Sequence, residues 1–189
     1  MKEKRDNIIL VGLMGAGKTT IGRLLAKRLG KRFVDSDHEI ESRSGVTIPT
    51  IFEIEGEAGF RKRESMVIEE LSRETGLVMA TGGGVVLNPD NREALKLGGF
   101  VVYLCAPAEL LYSRTRHDRN RPLLQVANPL GRLRELLVQR DPLYREVSDM
   151  VVDVASHSAS ATVQLLQRTV ARPSDLPSPL LAPSSPPLP

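Results

Sequence analysis

Gly12-Leu13-Met14-Gly15-Ala16-Gly17-Lys18-Thr19 is the stretch that decides the fold. It follows the apolar run Ile8-Ile9-Leu10-Val11 and opens a segment of helical period. It therefore lies in the strand, Gly-rich loop, helix setting that a phosphate-binding P-loop requires. Glycines let backbone N–H groups close around phosphate oxygens, and the start of the following helix adds a favourable partial charge. In that setting Lys18 reaches the β- and γ-phosphates and Thr19 offers its hydroxyl to Mg²⁺. Gly15, Ala16, Gly17 and Thr20 complete the expected nucleotide-binding loop.

The surroundings of this loop read as one parallel α/β domain. The chain has 189 residues, 41% of them hydrophobic but only 4% aromatic, with no Trp. A core of Leu, Val, Ile and Ala suits buried parallel strands. Five apolar runs are expected as strands: Ile8 to Val11, Phe33-Val34, Leu77 to Ala80, Phe100 to Leu104, and Met150 to Val154. Between them, Ile21, Leu24, Leu25 and Leu29 form a helical stripe that Gly30 should stop. Val67, Ile68 and Leu71 repeat the pattern, as do Leu130, Leu133, Leu136 and Leu137, and then Val163, Leu165 and Leu166. Strands alternating with helices predict a doubly wound sheet with its ligands at the carboxyl ends of the strands.

The formal net charge is only +3, and no aromatic residues interleave with the arginines, so a nucleic-acid partner is not expected. The single Cys105 excludes a disulfide framework and reads as a small buried hydrophobe in a reducing compartment. The N-terminal segment carries charges of both signs and leads into an apolar run too short for a signal or membrane segment, so a cytoplasmic protein is expected. A monomer is expected as well. From Pro173 to Pro189 the chain is rich in Pro and Ser, and a disordered tail is expected there, outside a domain of residues 1–172.

The acceptor of the phosphate has to be read elsewhere. No Asn-Lys-x-Asp base-reading motif of GTPases is present, and the chain is short for a motor domain, which leaves a small-molecule kinase as the leading class. Phe33-Val34-Asp35-Ser36-Asp37 places two acids at alternate positions as a strand ends, and with a period of two both can face the phosphates. Asp35 is placed to hold the Mg²⁺ shell. Asp37, one pleat further on, can orient an acceptor hydroxyl and take its proton. Gly82-Gly83-Gly84 after the third strand gives up side-chain packing, which is costly unless the backbone must approach something closely. Arg119-Asn120-Arg121-Pro122-Leu123-Leu124 has the basic, polar character of a loop that closes over phosphates, where an Arg neutralises charge on the transferring group. His117 and His157 read as surface residues with no metal-ligand spacing.

Together these motifs resemble the shikimate kinase family. The matching segments are Gly-Leu-Met-Gly-Ala-Gly-Lys-Thr at 12–19, Asp-Ser-Asp at 35–37, Ile-Phe-Glu-Ile-Glu-Gly-Glu-Ala-Gly-Phe-Arg-Lys-Arg-Glu at 51–64, Thr-Gly-Gly-Gly at 81–84, Arg-Pro-Leu-Leu at 121–124 and Arg-Asp-Pro-Leu-Tyr at 140–144. They occur in the family order over about residues 7–170. The resemblance implies a three-layer α/β/α P-loop kinase with a five-stranded parallel sheet, a substrate-binding region around 36–64 and a mobile lid around 114–126. It implies ATP-dependent phosphorylation of the 3-hydroxyl of shikimate. It assigns Asp37 to the reacting hydroxyl, Arg61 and Arg140 to the substrate carboxylate, and Gly82, Gly83 and Gly84 to its ring and hydroxyls. It further implies that Arg121 is the lid arginine, that Arg114 stacks on adenine, that Phe52 and Phe60 wall the pocket, and that Glu64 orients Arg61. Two departures stand out: Ala155-Ser156-His157-Ser158 where an adenine loop is usual, and the Pro-rich tail. A gluconate-type kinase and a nucleotide-dependent switch protein are the alternatives.

Overall fold

In a computed structural model, residues 6–118 and 122–170 are described. The chain runs β1 (Asn7–Val11), α1 (Lys18–Leu29), β2 (Arg32–Asp35), α2 (Ser36–Ser44), α3 (Ile48–Arg73), β3 (Leu77–Ala80), α4 (Pro89–Gly98), β4 (Gly99–Cys105), α5 (Ala108–Thr115), α6 (Pro129–Val147), β5 (Met150–Asp153) and α7 (Ala159–Val170). The five strands form one parallel sheet in the order β2-β3-β1-β4-β5. Every residue of β1 and β3 is buried, whereas the edge strands β2 and β5 each bury one residue fully, Val34 and Val152. Buried on both faces, the central strands show the near-continuous apolar runs of a doubly covered sheet. Helices α1 and α7 pack together on one face, and α4 and α6 pack against the other, with α3 beside α4 and α5 beside α6.

The order of the strands positions the site. From β1 the chain crosses to β2 at one edge, and from β3, beside β1, it crosses the other way to β4. The P-loop after β1 and the glycine triplet after β3 therefore emerge side by side at the switch point, where open α/β sheets bind ligands.

Several expectations change in detail. The buried stripe of α1 runs through Ile21, Gly22, Leu25 and Ala26, and Leu24 is 43% exposed. Gly22 and Ala26, small enough to sit against the sheet, rotate the contact face away from Leu24. Leu165 is likewise exposed at the rim of α7. The helix read around Val67 to Leu71 begins much earlier, at Ile48, and is kinked at Gly56, whose φ is 69°. Strand β5 ends at Asp153, so Val154 lies beyond it. Cys105 is half-buried rather than buried, because it closes β4 at the carboxyl end of the sheet. The C-terminal stretch 173–189 and Arg121 of the expected lid lie outside the described residues.

Candidate active site

The P-loop bends back on itself before α1. Gly15 and Gly17 have φ of 83° and 94°, the left-handed region that a side chain resists. Lys18, the first residue of α1, is buried, and its Nζ donates to the carbonyls of Gly12 (2.6 Å) and Leu13 (2.9 Å). The ammonium is thus held at the centre of the loop. Thr19 Oγ1 donates to Asp35 Oδ2 at 2.7 Å. This pair links the start of α1 to the end of β2, although 16 residues separate them in sequence.

Asp37 reaches the site by a different route from the one its spacing suggests. It does not continue the strand; it belongs to the first turn of α2. Asp35 has extended backbone and caps that helix, its Oδ1 accepting from the Asp37 N–H at 3.1 Å. An acid in this position satisfies an otherwise orphaned helix N–H and complements the helix dipole. One carboxylate therefore does two jobs, capping through Oδ1 and meeting Thr19 through Oδ2.

Two cavities meet here. The larger, about 500 Å³, is lined by Gly15, Ala16, Gly17, Lys18, Thr19, Thr20, Asp35 and Arg114, with Val154, His157 and Thr162 at its far end. Arg114 Nη1 donates to the Gly15 carbonyl at 3.2 Å. His157, exposed as expected, nevertheless stands at the rim of this cavity. The smaller, about 80 Å³, is lined by Phe52, Phe60, Arg61, Glu64, Gly82, Gly84 and Arg140, with Ile48, Pro122 and Leu123. Met14, Asp37 and Gly83 line both.

The smaller cavity is apolar on one side and charged on the other. The rings of Phe52 and Phe60 lie 4.9 Å apart, and the Arg61 guanidinium sits 5.1 Å over the Phe60 ring. Arg61 donates to Glu64 Oε2 at 2.8 Å and twice to Glu57 Oε1, at 2.9 and 3.2 Å. Arg140 is buried on α6 and donates to the Gly83 carbonyl at 3.0 Å. Glu64 is fully buried, and that burial lifts its carboxyl above the ordinary carboxylate range despite the pull of Arg61 and Arg140. Burial opposes the charge on Arg61, but Glu64 and Glu57 outweigh it and hold the guanidinium above its usual value. Burial pulls Arg140 below its usual value, and neighbouring Arg61 adds to that. Two cations, Arg61 and Arg140, line one pocket with the carboxyls of Asp37 and Glu64, a set that can pair with an anionic group and with hydroxyls of one ligand. Glu64 Oε1 and Arg140 Nε are buried with no hydrogen-bond partner among the described residues, the condition that a polar ligand relieves.

The glycine triplet is explained by crowding. A β-carbon on Gly82 would lie 2.6 Å from Asp37 Oδ1 and 2.8 Å from Glu64 Oε1, and one on Gly84 would fall on the Arg61 guanidinium. The structure thus gathers Asp37, Arg61, Gly82, Gly83, Gly84, Arg140, Phe52 and Phe60 into one cavity. Sequence reasoning passed over Glu57 and Tyr144. The latter stands one helical turn after Arg140, a spacing that puts both on one face of α6.

Known proteins resemble this chain along most of its length. The family model described as shikimate kinase matches residues 14–171. The shikimate kinase of Thiobacillus denitrificans is 63% identical over 163 residues, covering 86% of this chain and 89% of that protein. The shikimate kinase of Aromatoleum aromaticum is 60% identical over 163 residues, covering 86% and 93%. Among solved structures, shikimate kinase from Acinetobacter baumannii in complex with shikimate superimposes with a TM-score of 0.87 at 53% identity, covering 91% of this chain and 96% of that one.

Proposed function

The chain belongs to the shikimate kinase family, and from that premise we propose that it transfers the γ-phosphoryl group of ATP to the 3-hydroxyl of shikimate, giving ADP and shikimate 3-phosphate. The observation that carries this reading is the position of Asp37, which lines both the P-loop cavity and the small cavity holding the two arginines. A group at that junction can touch the donor phosphate and the acceptor hydroxyl together.

The roles follow from placement. Lys18 and the loop Gly15 to Thr20 hold the phosphates, with Lys18 adding a point charge where negative charge builds up. The Thr19 hydroxyl and Asp35 carboxylate, 2.7 Å apart beside the loop, are hard oxygen donors of the kind Mg²⁺ takes, so they fit that ion and would hold it. When bound, Mg²⁺ neutralises charge on the β- and γ-phosphate oxygens. Asp37 orients the acceptor hydroxyl and accepts its proton as the new O–P bond forms and the bond to ADP breaks. Arg61 and Arg140 pair with the substrate carboxylate, and Glu64 aims Arg61. Gly82, Gly83 and Gly84 line the ring and its hydroxyls, while Phe52 and Phe60 give it apolar walls. Arg114 stacks on adenine, and Arg121 neutralises the transferring group from a lid around 114–126.

No helix among the described residues is long and apolar enough to cross a membrane. The substrates proposed are small and water-soluble and the formal net charge is only +3, which supports a cytoplasmic protein with no nucleic-acid partner; we take it as a monomer. The one five-stranded sheet that joins β1 to β5 supports a single domain, read over residues 1–172.

An ADP-release assay with Mg·ATP tests the reading against shikimate, gluconate, quinate, nucleoside monophosphates and no acceptor. Turnover is expected with shikimate. Turnover with gluconate alone would assign a sugar-acid kinase, and ATPase activity indifferent to every acceptor would assign a switch protein.

A further inference from the structure

We propose that Tyr144 is a positioning residue for acceptor binding: through the Gly83 carbonyl it fixes the reach of Arg140 toward the substrate's carboxylate, a role that rests on the acceptor reading above. Tyr144 is fully buried, and its hydroxyl donates to the Gly83 carbonyl. Arg140 Nη1 donates to that same carbonyl at 3.0 Å. Gly83 is the middle residue of the triplet and lines both cavities. One backbone oxygen is therefore the common anchor of the guanidinium and of the loop that the acceptor must lie against.

The ring of Tyr144 is fixed from behind. It stacks on Tyr103 with centroids 4.9 Å apart and planes at 30°. Tyr103 in turn donates from its hydroxyl to Asp141 Oδ1 at 2.8 Å, and Asp141 Oδ2 accepts from Arg145 Nε at 2.6 Å. This series runs from the solvent edge of α6 to the glycine triplet. Burial pushes the Tyr144 phenol up, so the group stays a donor over the working pH range. Arg140 has five N–H donors, and Tyr144 bears on the guanidinium directly as well as through the shared Gly83 carbonyl. A second donor on the same carbonyl restrains the oxygen about which the guanidinium would turn.

Tyr144→Phe keeps the ring, its stacking and its volume and removes only the hydroxyl. It is expected to raise KM for shikimate about three- to tenfold, the scale of one net hydrogen bond. KM for ATP and kcat should stay within about twofold. On an Arg140→Ala background the same substitution should add less than about twofold, because the group it positions is gone. Tyr103→Phe keeps the ring stacked on Tyr144 and removes only the bond to Asp141, so it should lower Tm and move the shikimate KM by less than about twofold. An unchanged shikimate KM, equal rises for both substrates, or a full multiplicative loss on the Arg140→Ala background would overturn the proposal. Should Tyr144→Phe not fold, 3-fluorotyrosine at 144 strengthens the donor and must move the shikimate KM alone, and a null result there overturns it equally. If the unsubstituted enzyme does not turn over shikimate at all, the functional reading fails, and this outcome is distinct from a neutral Tyr144→Phe.

Discussion

The guanidinium of Arg61 occupies the space that a β-carbon on Gly84 would need. The backbone of Gly84, at φ −100° and ψ 0°, is open to other residues, so glycine is required there by crowding and not by conformation. The neighbour that would have to yield is the far end of a long side chain. Gly84→Ala is thus expected to fold with a Tm within a few degrees of the parent while displacing Arg61. Loss of its charged hydrogen bonds to a carboxylate, about 1.5–3 kcal/mol, corresponds to a rise in shikimate KM of roughly tenfold to over a hundredfold. Steady-state kinetics with both substrates varied will show the rise for shikimate only. A rise of the same size for ATP would remove Arg61 from the acceptor site.

Glu64→Gln should separate stability from function, with a defined pH dependence. A carboxyl whose folded pKa is raised binds its proton more tightly in the native state, so the native state gains stability below the ordinary 4.5 and loses that gain as pH rises through the raised value. Gln resembles the protonated acid. Thermal melts of the two proteins should therefore nearly coincide below about pH 4.5, and the Gln variant should melt higher as pH approaches 7. Its shikimate KM should rise at pH 7, since Arg61 loses a charged partner at 2.8 Å. A variant that melts progressively lower than the parent as pH rises would mean that the pairing with Arg61 outweighs the cost of burial.

Lys18→Met should abolish turnover with the fold intact. The ammonium sits at the centre of the P-loop on the Gly12 and Leu13 carbonyls, where charge on the β- and γ-oxygens must be stabilised. Met matches the length of the stem, and circular dichroism should be unchanged. Activity within about tenfold of the parent would take Lys18 out of the mechanism.

Features carried by short runs of residues were legible in the sequence. The P-loop, the buried central strands and the glycine triplet are local patterns, and each implies its surroundings. Features that depend on which of two local rules wins were not. Asp35-Ser36-Asp37 fits strand alternation and also helix capping, and the Asp37 N–H bonded to Asp35 Oδ1 shows that capping prevails. The first half of α3 escaped because the break at Gly56 interrupts the period and glutamates crowd the segment. Arg61 and Arg140 are 79 positions apart and converge only because α3 and α6 flank the same strand end, so a family resemblance was needed to pair them. Tyr144 has a backbone carbonyl as its partner, and a carbonyl leaves no mark in a sequence.

The division of labour between the two aspartates gives the sharpest test of the catalytic arrangement. Asp35 is tied to Thr19 at 2.7 Å on the phosphate side, whereas Asp37 faces Gly82 and lines the acceptor cavity as well. Asp37→Asn preserves shape and most hydrogen bonding but removes basicity and charge, so kcat should fall about 10²-fold or more, the scale of lost general-base help. Affinity for Mg·ATP, titrated without shikimate, should barely change. Asp35→Asn should instead raise the Mg²⁺ concentration needed for half-maximal rate. It should cost little stability as an α2 cap, because Asn caps helices about as well as Asp. If Asp37→Asn shifts the Mg²⁺ requirement and leaves kcat near normal at saturating metal, the roles are reversed, and the acceptor hydroxyl must lie on the Thr19 side of the junction.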